Sequence, residues 1–256
     1  MKKKIFNIIT LLFIITISSI TFSDGFEQVG EYYRFNKSGY YVFNEFVNHN
    51  MNLYYMDGDG YMVTNRWFIL KNGDKEDKYY ASYDGVIMRS GKHSINGYDY
   101  YFDYDGKLLY GWIEDTYYAN EEGYLVSGFQ QLKVPETWHT EEKNENNAWF
   151  YFNTSDKKKV CATNSPYIYK IISDCRYCFD QNGILRTGWR QIKETEPVMN
   201  GYMYFIPEET SKFKYGEAVY NTWYAIEPPS EINNSGEIRY FYFNNSGNVK
   251  AAKEGT

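Results

Sequence analysis

The sequence predicts an all-β fold: a solenoid of stacked β-hairpin repeats, in about nine imperfect units. Three observations carry this expectation. Aromatic residues form 20% of the 256-residue chain, as 29 Tyr, 17 Phe and 6 Trp, and such residues favour strands. One pattern recurs along almost the whole chain: two or three aromatics, a short polar stretch, a Gly, then a small apolar run. No segment carries a long amphipathic helical period. A tandem pattern means a repeat architecture, in which each unit leans mainly on its neighbours. A lone hairpin is marginal in water, and stacking lets hairpins share their aromatic faces. A β-sandwich is the alternative that the same strands allow.

The units read in order as YYRFNKSGYYV (32–42), LYYMDGDGYMVT (53–64), KYYASYDGVIM (78–88), DYYFDYDGKLLYGW (99–112), TYYANEEGYLVSGF (116–129), WFYFNTSDKKKV (149–160) and RYCFDQNGILRTGW (176–189). A stretched copy covers 202–223, and YFYFNNSGNVKA (240–251) closes the array. Gly39, Gly60, Gly85, Gly106 and Gly123 punctuate the first five, and the copy near Asp156 lacks its Gly. Asp-Gly, Ser-Gly, Glu-Gly and Asn-Gly steps supply the positive φ of tight turns, so each aromatic run is expected to turn there into a hairpin. Four stretches, 133–148, 163–174, 207–214 and 226–237, read as loop insertions, where function beyond the repeat would reside.

The N-terminus reads as a leader. Lys2, Lys3 and Lys4 precede a mostly apolar run over 5–20, and Thr21 and Ser23 are small residues placed for a cut before Asp24. That layout predicts a signal peptide over 1–23 and a repeat array over 24–256. An uncleaved anchor is the alternative, for which the run is short. Removal of the three lysines takes the formal charge from −6 to −9. The acidic balance argues against a nucleic-acid partner, because phosphates recruit Lys and Arg. Nothing later in the chain is long and apolar enough to span a membrane. The aromatic load argues against disorder, because disordered segments are poor in aromatics.

Cys161, Cys175 and Cys178 are the only cysteines. In an oxidising compartment two of them are expected to pair and one to remain free, with the pairing open. Cys175-x-x-Cys178 is half a zinc site without its second half, so no metal is expected. Asp57-Gly58-Asp59-Gly60 and Asp103-Tyr104-Asp105-Gly106 resemble fragments of calcium loops but lack the closing ligands, and turn chemistry explains them.

The fragments YYFDYDGKLLYGW, YYANEEGYLVSGF and CFDQNGILRTGW resemble the cell-wall-binding repeats of secreted bacterial proteins. That group includes choline-binding and glucan-binding repeats and the repeats of large clostridial toxins. The resemblance implies a hairpin solenoid that holds a bacterial surface protein to a cell-wall polymer or glycan, with ligand sites between neighbouring hairpins. Those sites use the Trp of a Gly-Trp step, the leading aromatic of the next repeat and a later Tyr. The Gly-Trp position is met by Trp112 and Trp189, with Phe129 as a replacement and Trp67 and Trp223 one residue out of phase. Trp149 meets the leading aromatic, with Tyr32, Tyr202 and Tyr240 as weaker stand-ins; Tyr118 and Tyr204 complete the candidate ligand contacts. At Leu53, Lys78, Asp99, Thr116 and Arg176 the leading position is not aromatic. Choline boxes are therefore incomplete, because each aromatic wall contributes ~0.5–2 kcal/mol to holding an ammonium. Sugars, which stack apolar C–H faces on exposed rings, suit the composition better.

No catalytic pattern competes with binding. His49, His93 and His139 fall in different units. There is no His-Glu-x-x-His, no Gly-x-Ser-x-Gly and no phosphate-binding loop. A carboxylate pair or a Cys–His pair would need convergence that spacing does not reveal. The chain thus reads as a secreted, non-catalytic, cofactor-free module for a cell-wall polymer or surface carbohydrate. The alternative is a surface adhesin or scaffold whose aromatics are all buried. Open clefts at Trp112 and Trp189 would favour the first, full burial the second.

Overall fold

The computed structural model describes residues 23–139, 146–192, 198–232 and 236–254. All but Ser23 of the expected leader lies outside them. The described residues are all-β apart from one 3-10 turn at Val198–Gly201. Their strands form nine separate small sheets, one for each repeat.

Each sheet contains an antiparallel hairpin whose second strand is the aromatic run, and three sheets add a third strand. The nine are Gly25–Val29 with Tyr32–Lys37, Glu45–His49 with Asn52–Met56, Arg66–Asn72 with Lys75–Ala81, and Gly91–Ile95 with Tyr98–Phe102. Gly111–Ile113 pairs with Tyr117–Ala119, Gly128–Lys133 with Asn147–Phe152, and Tyr167–Ile172 with Cys175–Asp180. Gly188–Gln191 pairs with Tyr202–Phe205 and Thr222–Ile226 with Arg239–Phe243. The stretch 163–174 is therefore not a plain loop: it holds a strand, Tyr167–Ile172.

The hairpin turn is not the one expected. It precedes the aromatic run, and several copies build it from non-glycine residues in the left-handed region. Asn50 and Met51 have φ of 50° and 66°, Glu114 and Asp115 50° and 49°, Ser173 and Asp174 49° and 66°. Two consecutive positive φ values make the turn that matches strand twist. Met51 is 93% exposed, so its side chain gains nothing there. Met51→Gly is expected to raise stability by about 0.5–1 kcal/mol, because relief of left-handed strain exceeds the added freedom of the unfolded chain. A thermal melt about 2 °C above the parent protein checks it.

The glycine turn does something else. It returns the chain onto the aromatic strand, as a one-residue bridge in six copies and as a third strand in the other three, Tyr40–Tyr41, Leu185–Arg186 and Val249–Glu254. In the fifth copy Asn120 N–H donates to Tyr124 O (3.0 Å), Gly123 N–H to Asn120 O (2.9 Å) and Tyr124 N–H to Asn120 Oδ1 (2.8 Å). Asp57, Asp103, Asp180 and Asn244 hold the same position, with the last turn bond at 2.8–2.9 Å. The acidic fragments at Asp57 and Asp103 are thus turn acceptors. Where Gly is missing, Lys157 takes φ of 64° and the turn lengthens by a residue, from Asn153 to Lys158.

The chain divides into two compact units, Met1–His93 with Phe102–Leu108, and Ser94–Tyr101 with Leu109–Thr256. Within each unit, successive hairpins are linked by a backbone hydrogen bond from the returning bridge. Met62 donates to Tyr33 O, Ile87 to Leu53 O and Leu108 to Lys78 O in the first unit. In the second, Leu125 donates to Asp99 O, Lys159 to Thr116 O and Ala218 to Arg176 O. Each of these bonds is 2.8 Å.

The residue paired with the bridge is the most buried in its strand. Met56, Ala81, Phe102, Phe152, Phe205 and Phe243 are 0% exposed. Alternation explains it, since every second aromatic faces the next hairpin. In Asn147–Phe152, Ala148, Phe150 and Phe152 are buried while Trp149 and Tyr151 are half-buried. Most of the described Phe therefore build the core between hairpins, whereas among the tyrosines only Tyr55, Tyr79, Tyr80, Tyr100, Tyr177 and Tyr202 are buried.

The three cysteines are free, so the expected pair is not formed. Cys175 and Cys178 stand three apart on one strand, which turns their side chains to opposite faces and prevents a bridge. Cys178 is fully buried against Met203, Phe205 and Ala218. Burial and Glu217 push the Cys175 thiol up. Among the described residues no helix is long and apolar enough to cross a membrane.

Candidate functional site

The two Gly-Trp steps are built alike. Gly111 and Gly188 have φ of 70° and 76°, a bend that an L residue resists. It starts the first strand of a hairpin and sets the following Trp opposite a tyrosine, Trp112 against Tyr118 and Trp189 against Tyr204. Each indole N–H then donates to a backbone carbonyl at the end of the first strand of the next hairpin. Trp112 Nε1 reaches Lys133 O at 3.0 Å and Trp189 Nε1 reaches Glu227 O at 2.7 Å. Each ring also meets two buried phenylalanines of that hairpin: Phe150 and Phe152 for Trp112, Phe241 and Phe243 for Trp189. The Trp is thus a wedge between hairpins, with one end apolar and the other anchored.

Around Trp189 the wedge leaves open surface. The ring is half-buried and borders two clefts. One, about 490 Å³, includes Tyr204, Ile226, Glu227 and Ile238. The other, about 540 Å³, includes Tyr167, Arg190, Gln191, Ser230 and Glu231. Tyr204 lies 5.2 Å from Trp189 and Tyr202 6.3 Å, both edge-on. The Tyr202 hydroxyl donates to Glu231 Oε1 at 3.3 Å. Burial, then Glu231, raises the Tyr202 phenol, and burial pushes Tyr204 up to about 12; both remain hydroxyl donors at neutral pH. The Arg190 guanidinium lies 5.3 Å over Tyr167. The arrangement offers aromatic edges flanked by amide, carboxylate and guanidinium groups.

Trp112 is half-buried like Trp189, but its wedge carries two further side chains. Tyr118 stands edge-on at 5.3 Å, and Trp138 from the 133–148 insertion packs at 4.9 Å. Lys159 lies over both indoles. Phe129 packs on Tyr151 at 4.9 Å and Tyr177 at 4.8 Å. Trp149 joins the same buried cluster as Phe129. The structure therefore unites Trp189, Tyr202 and Tyr204 in one region and Trp112 with Tyr118 in another, with Phe129 and Trp149 in a third.

A third cleft, about 610 Å³, lies in the first unit against Tyr32, Tyr33, Tyr54 and Tyr83, with Gln28 and Asp84 at hand. Tyr83 is 87% exposed and Tyr32 58%. Of this group the sequence marked only Tyr32, as a weaker stand-in for a leading aromatic, because none of the four follows a Gly-Trp step. Sequence reasoning also passed over Trp138, although a lone Trp in a polar insertion was a visible signal, and over Tyr167 and Glu231, which carried none. Among the described residues no group of three His, Cys, Asp or Glu is placed to hold a metal.

No family model matches the sequence. Over 207 residues, 77% of this chain, it is 25% identical to glucosyltransferase-S of Streptococcus mutans serotype c, of which the chain spans only 12%. Among solved structures it is similar to the modular autolysin LytC of Streptococcus pneumoniae in complex with a synthetic peptidoglycan ligand. That likeness has 18% identity, a TM-score of 0.48, and covers 91% of this chain and 48% of that one. CbpJ of the same species is similar at 15% identity and a TM-score of 0.32, covering 89% of this chain and 94% of that one.

Proposed function

We propose that the chain is a non-catalytic carbohydrate-binding module built as a solenoid of hairpins, exported behind its leader and held to a cell-wall polymer or surface glucan. The observation that carries this reading is the half-buried Trp189, which opens onto two clefts rimmed by Gln191, Arg190, Glu227 and Glu231. The open part of a half-buried indole matches the apolar face of a sugar ring, while the rim groups match its hydroxyls. The similarity of most of the chain to a short part of a glucosyltransferase favours a glucan among the carbohydrates. The scaffold alternative needs buried aromatics throughout, and the exposed tyrosines of the first-unit cleft weigh against it. Several shallow sites on one chain would act together, since each tethered site meets a high local concentration of a polymeric ligand.

Retention of the folded chain on insoluble glucan and on purified cell walls tests the proposal. Free glucan oligosaccharide is expected to release it, and choline is not. Absence of retention on every polysaccharide would remove the reading.

A further inference from the structure

The bridge position distinguishes one repeat from the rest. Met62, Ile87, Leu108, Leu125, Leu185, Ala218 and Val249 occupy it in seven other repeats, all apolar, and Tyr41 in the first. The sixth repeat places Lys159 there, paired with Phe152 and 9% exposed. A lysine seldom enters a core without a partner. Here the partner is aromatic: Nζ lies 4.0 Å from the Trp138 ring centroid and 5.1 Å from that of Trp112. Trp138 is itself oriented, since its Nε1 donates to Asp115 Oδ1 at 3.2 Å. The two indoles lie 4.9 Å apart at 56°, so they present two faces to one point. At the corresponding place beside Trp189 stands Val249, and no cation lies over that ring among the described residues.

We infer that Trp112 and Trp138 form a cage for an ammonium group, that Lys159 is its tethered occupant, and that Lys159 thereby excludes quaternary ammonium ligands from this inter-hairpin site. The argument is independent of the carbohydrate reading. Indole faces attract a desolvated cation through the ring quadrupole. An intramolecular ammonium outcompetes a free one because its tether fixes it at the cage. Burial pushes Lys159 down to about 8, opposed by Cys161, Asp115 and Asp180. The aliphatic stem is held as well: Gly183 approaches so closely that a Cβ there would lie 2.8 Å from Lys159 Cδ.

Titration with tetramethylammonium, followed by tryptophan fluorescence, tests the inference. Lys159→Ala is expected to bind it at least about tenfold more tightly than the parent chain, and Lys159→Ala combined with Trp138→Ala to lose that gain. Lys159→Leu, which restores the apolar residue of seven other repeats, should fold and stay closed. Equal affinity of folded Lys159→Ala and parent would overturn the inference. Should Lys159→Ala fail to fold, NMR of the parent decides: ring currents must shift the Lys159 ε-methylene protons well upfield, and ordinary shifts would overturn it.

Discussion

Gly183→Ala is expected to cost about 3 kcal/mol, while Gly97→Ala costs about 1 kcal/mol, although both glycines are left-handed. Their φ values are +79° and +85°, so the backbone strain on adding a Cβ is the same. The surroundings differ. A Cβ at Gly183 would stand 2.8 Å from the Val160 carbonyl oxygen, whereas nothing lies within 4 Å at Gly97. A backbone oxygen of the preceding repeat cannot swing aside, so two repeats must separate. Gly60, Gly106 and Gly247 also face a backbone oxygen of the preceding repeat, at 3.1–3.3 Å, whereas Gly85 and Gly216 face only the side chains of Met62 and Leu185. Repeat glycines thus set the distance between hairpins as well as the turn. Chemical denaturation of both variants gives the comparison; equal losses would mean that only the turn matters.

Phe243→Ala is expected to cost about 3–5 kcal/mol, the range for emptying a buried aromatic site. Phe243 is 0% exposed and stacks on Trp189 at 5.8 Å with planes 27° apart. Ile206, Phe213, Val219, Phe241 and Val249 complete its cluster. A cavity there also removes the floor beneath Trp189, so glycan binding should weaken together with stability. Phe205→Ala empties an equally buried site in a different cluster and should lower stability with less effect on binding. Denaturation midpoints read beside retention on glucan separate the two.

The repeat number and the strand that each aromatic run forms were legible, because period and aromatic content are local properties of the chain. The hairpin turn was not. The eye follows Gly, yet Asn50-Met51 and Ser173-Asp174 make the turn without one, and the stacking of neighbouring hairpins carries their strain. The strand Tyr167–Ile172 was hidden for a similar reason: YIYKII alternates like the others but has no repeat signature around it. Trp112 and Trp189 look equivalent in sequence. Their difference lies in residues far away, Trp138 and Lys159 on one side and Val249 on the other. Lys159 closes a run of three lysines that reads as solvated surface. The face on which it falls depends on a turn lengthened by the missing Gly.

The central claim is that Trp189 is an open sugar platform whereas Trp112 is structural and filled. Retention of Trp189→Ala and Trp112→Ala on insoluble glucan, each beside its denaturation midpoint, tests this most directly. Trp189→Ala should weaken retention by about tenfold or more, the loss of one aromatic anchor. Trp112→Ala should lower stability and, while folded, retain its binding. Undiminished retention of folded Trp189→Ala, or a selective loss in Trp112→Ala, would contradict the account.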